Sequence, residues 1–218
     1  MHNPIILNCY TYDKSAYNDF PIQPMKRQTP SWWRDLPSMV DDIKTMKHCV
    51  GFNEYFAQGF TVPLWSDFNF SIGATLEEGV TCDNYSLAVH PTVQRGEYLP
   101  ESRYQNLKII PPWFVSCEED VRFLFNQNTW GLDNPEDVII PPGVVEFKLQ
   151  KSVNINLFML YNGIKRDVKL KAGTCLVNIA PLSDRKIEIH NHLIDESKWV
   201  VMNNTSFYNA KRCPFHKS

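Results

Sequence analysis

The sequence predicts a mainly β protein: a single sandwich, jelly-roll or barrel-like domain carrying a Pro-rich N-terminal arm with short helices. Three observations lead there. From Phe60 onward the apolar residues come in short runs, several of them alternating with polar ones, which is the period of a strand with one buried face. Pro-Gly, Asn-Gly and Ala-Gly steps part these runs and act as turn signals. Nowhere is the 3.6-residue period sustained for the length that the crossover helices of a parallel α/β sheet need.

Taken in order, residues 1–59 read as the arm, packing on the core. "PIILNCY" has the make-up of a short strand, but Pro21, Pro24, Pro30 and Pro37 recur too often for a helix or a ladder to persist. In "TPSWWRDLP", Thr29 is a capping residue, Pro30 suits the first helical position and Pro37 ends the turn. "SMVDDIKTMKHCVGFNEYFAQG" places Met39, Val40, Ile43, Met46 and Val50, then Phe52, Tyr55 and Phe56, at spacings that predict one or two short amphipathic helices ending at Gly59.

Residues 60–200 form the all-β core. "FTVPLWSDFNFSI" alternates, with Pro63 demoting its first part to an edge. "EEGVTCDNYSLAVH" supplies a turn and a strand, and "LKIIPPWFVSCEEDVRFLFNQNTW" a strand, a Pro-Pro interruption and a further apolar stretch. "EDVIIPPGVVEFKLQ", "INLFMLYN", "RDVKLKAG", "TCLVNIAPL" and "KIEIHNHLI" complete the series, with Gly173 expected at positive φ. Residues 201–218 are a basic, aromatic tail of the kind that frays or docks on a neighbour.

Composition narrows the function. The chain has 218 residues, 43% apolar and 13% aromatic, enough for a sizeable core. With 22 basic and 24 acidic residues it lacks the positive footprint of a phosphate-backbone binder, so nucleic acid is not an expected partner. No apolar run approaches the ~20 residues of a membrane helix, and the start lacks the features of a secretory signal, so a soluble protein inside a cell is expected. The six cysteines are spread out with no C-x-x-C, which reads as free thiols in a reducing compartment.

Three segments carry a resemblance: "MKRQTPSWWRDLP", "KHCVGFNEYFAQGFTVPLWSDFNFSI" and "LKAGTCLVNIAPLSDRKIEIHNHL". Together they resemble a family of small proteins of unknown function encoded by tailed bacteriophages, notably those of marine bacteria and cyanobacteria, over Met25 to about His192. The chain departs from that family at Cys49-Val50, where its members often carry Cys-Pro. The resemblance implies synthesis in the host cytoplasm and either a place in the virion or a host-directed role. The last segment also has a looser likeness to the β-core of trimeric deoxyuridine triphosphatases. Their nucleotide-binding strand, Ser-Gly phosphate turn and Gly-rich closing arm have no counterpart here, so this likeness bears on fold alone.

Candidate chemistry is sparse. His190 and His192 flank Asn191 in an alternating strand, so both imidazoles face one side, as two metal ligands would; Cys213 and His216 would complete a set of four if the tail folded back. Against this stands the plainer reading of two half-exposed histidines at a strand end. Glu77-Glu78 and Glu118-Glu119-Asp120 sit beside turns, where charge runs are solvated faces. Neither a nucleophile elbow, a P-loop nor a dinucleotide fingerprint is found, so no catalytic residue and no cofactor is assigned. Trp32, Trp33 and Arg34 are the most distinctive set. Either the tryptophans close the end of the sheet, with Arg34 pairing to Asp35 or a neighbouring strand, or they anchor an interface. The expected function is therefore a non-enzymatic virion or host-factor-binding protein with protein partners, including further copies of itself by exchange of the arm. The alternative is a metal- or small-ligand-binding enzyme with a pocket in the β core.

Overall fold

The computed structural model describes residues 3–75, 77–90, 104–132 and 138–202, and the chain is mainly β. The strands are β1 (Ile5–Thr11), β2 (Gln23–Pro24), β3 (Met39–Val40), β4 (Ile43–Lys44), β5 (Phe60–Thr61), β6 (Phe68–Ile72), β7 (Val80–Cys82) and β8 (Leu87–Val89). They continue with β9 (Tyr104–Ile109), β10 (Phe114–Ser116), β11 (Arg122–Gln127), β12 (Gly143–Glu146), β13 (Ile155–Leu160), β14 (Arg166–Leu170), β15 (Val177–Pro181) and β16 (Ile187–Leu193). Helices α1 (Lys14–Asn18), α2 (Ser31–Asp35) and α3 (Val50–Ala57) are short.

Four sheets surround one core, in the orders β10-β1-β16, β12-β11-β15-β5-β2, β13-β9-β8 and β14-β6-β7; a separate β3-β4 hairpin stands apart from them. Alternation sets which side chains go in. On β6, Phe68, Phe70 and Ile72 are buried while Asn69 is exposed; on β13, Ile155, Leu157 and Met159 are buried. These residues join Phe60, Phe123 and Phe147 in one apolar cluster to which all four sheets contribute. Gly163 and Gly173 take φ of +82° and +84°, so the Asn-Gly and Ala-Gly steps act as turns.

Residues 1–59 enter the molecule in two ways. The first stretch is no appendage: β1 lies between β10 and β16, with Ile5, Leu7 and Cys9 wholly buried. It runs parallel to β16 in register from Ile5 with Ile187 to Thr11 with Leu193, and antiparallel to β10. Such a parallel pair joins segments far apart in sequence, which local patterns do not report. Downstream, Asp13 caps α1 by accepting from the Ala16 N–H at 2.9 Å.

From Met25 to Gln58 the chain packs outside the sheets, and two expectations need correction. Thr29 does not cap α2: its hydroxyl donates to the Lys26 carbonyl at 2.8 Å, closing the 3₁₀ turn Met25–Gln28, and Pro30 takes the cap position. Residues 39–44 form a hairpin in place of the expected helix, with Asp41 and Asp42 at φ 48° and 64°. Two consecutive left-handed residues make the two-residue turn that matches strand twist, and Asp tolerates that region. The amphipathic spacing holds only later, in α3.

One arginine ties the chain's start and the Glu119 turn to the late turns. Arg185 donates through Nη1 and Nη2 to Glu119, through Nε to the Asn3 carbonyl at 2.7 Å and through Nη2 to the Pro4 carbonyl at 3.1 Å. The Arg185 hydrogen bonds to its carboxylate, with the guanidinium charge beside them, hold Glu119 below its ordinary value of 4.5. A depressed folded value means that the contribution is complete above 4.5 and is lost as pH falls through the lower folded value. Thermal melts of the wild type are therefore expected to lose stability on acidification below that point, and Glu119→Gln is expected to flatten part of the fall. Identical pH profiles for the two proteins would contradict this role.

Candidate functional site

The distinctive residues gather at the arm. Helix α2 ends at Asp35 because Leu36 precedes Pro37 and is extended at φ −60°, ψ 123°. This brings Trp33 against α3, where its ring stacks on Phe52 with centroids 4.7 Å apart and 15° between planes. Trp32 lies edge-on to Trp33 at 5.7 Å and tilts against Trp130 at 5.5 Å; Trp130 meets Phe52 at 5.0 Å. The two tryptophans differ in role: Trp33 is 4% exposed and Trp32 42%.

Lys47 locks this arrangement. Its ammonium donates to the carbonyls of Trp33 at 2.6 Å and Arg34 at 3.0 Å, satisfying the end of α2, and lies 5.7 Å from the Trp33 ring centroid. Helix α3 is fastened to the five-stranded sheet by Tyr55, whose hydroxyl donates to the Gln127 carbonyl at 3.2 Å, and by Asn178, which donates to the Tyr55 carbonyl at 3.1 Å. Burial pushes the Tyr55 phenol up to about 12, so it stays a donor.

Outside this rigid base the arm is exposed and apolar. On the hairpin, Met39, Val40 and Ile43 all face solvent, followed by Met46 and Val50; Ile43 and Val50 are each 71% exposed. Thr45 holds the hairpin to the base by donating to the Pro37 carbonyl at 2.5 Å. Charges border it: Asp41 and Asp42 at the tip, Arg34, Asp35 and Lys44 toward the base, all exposed. Arg34 forms no ion pair among the described residues, so the expected partnership with Asp35 or a neighbouring strand is corrected.

A groove runs beside α3. One hollow of about 390 Å³ has Trp33 and Phe56 at its floor and Lys26 and Lys186 at its rim. A second of about 330 Å³, sharing Ala57 and Lys186 with the first, has Glu54 and Asp184 together with Arg185. These hollows lie where the arm meets the sheet.

The histidine pair lies elsewhere, on the outward face of β16. His190 Nε2 is 2.8 Å from the Glu188 carboxylate, and His192 Nε2 is 3.0 Å from the Asn8 side chain. Their ring centroids are 6.5 Å apart, and His192 stacks on Tyr10 at 4.9 Å. Each imidazole thus has its own neighbour. Among the described residues no three His, Cys, Asp or Glu side chains are grouped to hold a metal ion. Cys213 and His216 lie outside the described residues.

The acidic clusters are taken up in structural contacts. Glu119 binds Arg185, Asp120 meets Lys148 at 2.6 Å, and Glu78 accepts from the Ala74 N–H at 3.0 Å. Sequence reasoning missed Trp130 and Lys47. A tryptophan beside Gly131 in "NQNTWG" was the only local signal for the first; the second carried none, because a carbonyl clamp has no spacing rule. Compared with known proteins, the chain matches no family model and no curated protein.

Proposed function

We propose that this is a phage-encoded, non-enzymatic protein that works by attachment, as a structural or accessory component of the virion, with the arm as its contact surface. The observation that carries the reading is the apolar run Met39, Val40, Ile43, Met46 and Val50, exposed on a rigidly fastened base. Val40 and Ile43 pair on one face of the hairpin, large exposed apolar side chains gathered in one segment are a mark of interaction surfaces, and Trp and Arg at its border are the residue types that dominate interface energetics. The phage assignment rests on the Trp-Trp segment, the Cys49 segment and the late strand pair quoted above.

The test is the protein content of purified particles made with wild type and with Ile43→Asp. Ile43 is 71% exposed, so the substitution is expected to change stability by no more than about 0.5 kcal/mol. Wild type is expected in the particles and the variant is expected to be lost from them. Equal incorporation of both would remove the arm as the contact surface, and absence of the wild type would replace the virion role with a host-directed one.

A further inference from the structure

We propose that the hairpin β3-β4 is a two-fold contact through which two copies of this chain pair, each hairpin running antiparallel to its partner. The inference rests on the attachment reading and names the first occupant of that surface. Three observations point to a second copy.

The hairpin is built to a definite shape yet has no second layer among the described residues. Its turn holds Asp41 and Asp42 at φ 48° and 64°, the conformation of a tight two-residue hairpin turn, while all four strand residues are exposed. A two-stranded hairpin whose faces no described residue covers is marginal in water, so its definite shape calls for a partner.

Its edges are open. Val40 pairs with Ile43, and the Thr45 N–H bonds the Ser38 carbonyl at 3.1 Å, so alternation turns the backbone groups of Met39 and Lys44 outward. Both strands are therefore edges able to extend a sheet across a symmetry axis.

Its charges are self-complementary. Asp41 and Asp42 occupy the tip and Lys44 the open end, with Arg34, Asp35 and Lys47 beyond it, so the base is net positive; Asp41, Asp42, Lys44 and Arg34 have no ion-pair partner among the described residues. An isologous contact must be complementary to itself. Antiparallel pairing sets each acidic tip against the other copy's basic base, with Ile43 in the seam. A parallel arrangement would bring acid to acid, so the same charges select the orientation.

Sedimentation equilibrium of the full chain tests this. Wild type is expected to dimerise, and Ile43→Asp to be monomeric. Asp41→Asn/Asp42→Asn keeps residues that tolerate the left-handed turn and is expected to weaken the dimer about tenfold, while removing most of its salt dependence. Arg34→Glu/Lys44→Glu and Asp41→Lys/Asp42→Lys are each expected to be monomeric alone and to form a heterodimer when mixed. Failure of the mixed pair to associate, with each variant folded by circular dichroism, overturns the antiparallel pairing. A wild type that is monomeric throughout, yet enters particles in an Ile43-dependent way, overturns the two-fold contact and leaves attachment standing. If neither self-association nor incorporation responds to Ile43→Asp, both fall.

Discussion

Trp33→Ala is expected to lower the unfolding free energy by about 3–5 kcal/mol, whereas Trp32→Ala, one residue away, is expected to cost about 1 kcal/mol or less. The contrast follows from placement. Trp33 is 4% exposed and carries the stack on Phe52, so its removal leaves a cavity between α2 and α3. Trp32 is 42% exposed, at the open side of the aromatic group, so its truncation leaves no enclosed cavity. For a chain of this size each kcal/mol shifts the midpoint by roughly 2–4 °C, so the first variant should melt roughly 10 °C lower. Association should respond the other way, with Trp32→Ala weakening it at nearly unchanged stability. Equal thermal losses for the two variants would show that the division between a buried base and an exposed contact residue is wrong.

Gly59→Ala is expected to be the other severe substitution, and Gly163→Ala its control. Both glycines sit in the left-handed region, at φ +83° and +82°. There an alanine costs roughly 1–2 kcal/mol in backbone strain. At Gly163 nothing lies within 4 Å of an added methyl, so the strain is the whole effect. At Gly59 the methyl would stand 2.5 Å from the Asn178 side-chain oxygen and 2.7 Å from the Ile179 carbonyl. Ile179 is paired to Phe60 across β15 and β5, so its carbonyl cannot withdraw without opening the sheet. The Gly59 carbonyl also accepts from the Met25 N–H at 3.1 Å. Movement there therefore disturbs the seat of the whole arm. A loss of about 3 kcal/mol or more is expected for Gly59→Ala in denaturant titrations, against about 1 kcal/mol for Gly163→Ala. Similar losses at the two positions would mean that the close approach at Gly59 is relieved at little cost.

How far the sequence could be read follows from which interactions are local. The strands from Phe68 onward were legible because alternation and turn residues act over a few positions: Phe68, Phe70 and Ile72 point inward as their spacing predicts. The parallel partnership of β1 and β16 was not, since nothing in "IILNCY" names a partner at the far end of the chain. The hairpin is hidden in the sequence because Met39, Val40, Ile43 and Met46 fit a helical stripe as well as two short strands, and Asp-Asp is a weaker turn signal than Asn-Gly or Asp-Gly. At the candidate surface, Trp32 and Trp33 stood out by residue type. Their division into an exposed and a buried ring depended on Phe52 and Trp130 arriving from elsewhere in the chain. The alternation that puts His190 and His192 on one face puts Glu188 there as well, beside the His190 Nε2, whereas Asn8 beside the His192 Nε2 comes from β1 and enters only with the fold.

Hydrogen–deuterium exchange on the assembled protein, compared with the dispersed chain, addresses the account most directly. Slowed exchange is expected in residues 32–50, centred on the hairpin amides, with the β16 segment around His190 and His192 unchanged. Protection confined to that outward sheet face, with the hairpin exchanging as freely as before, would contradict it.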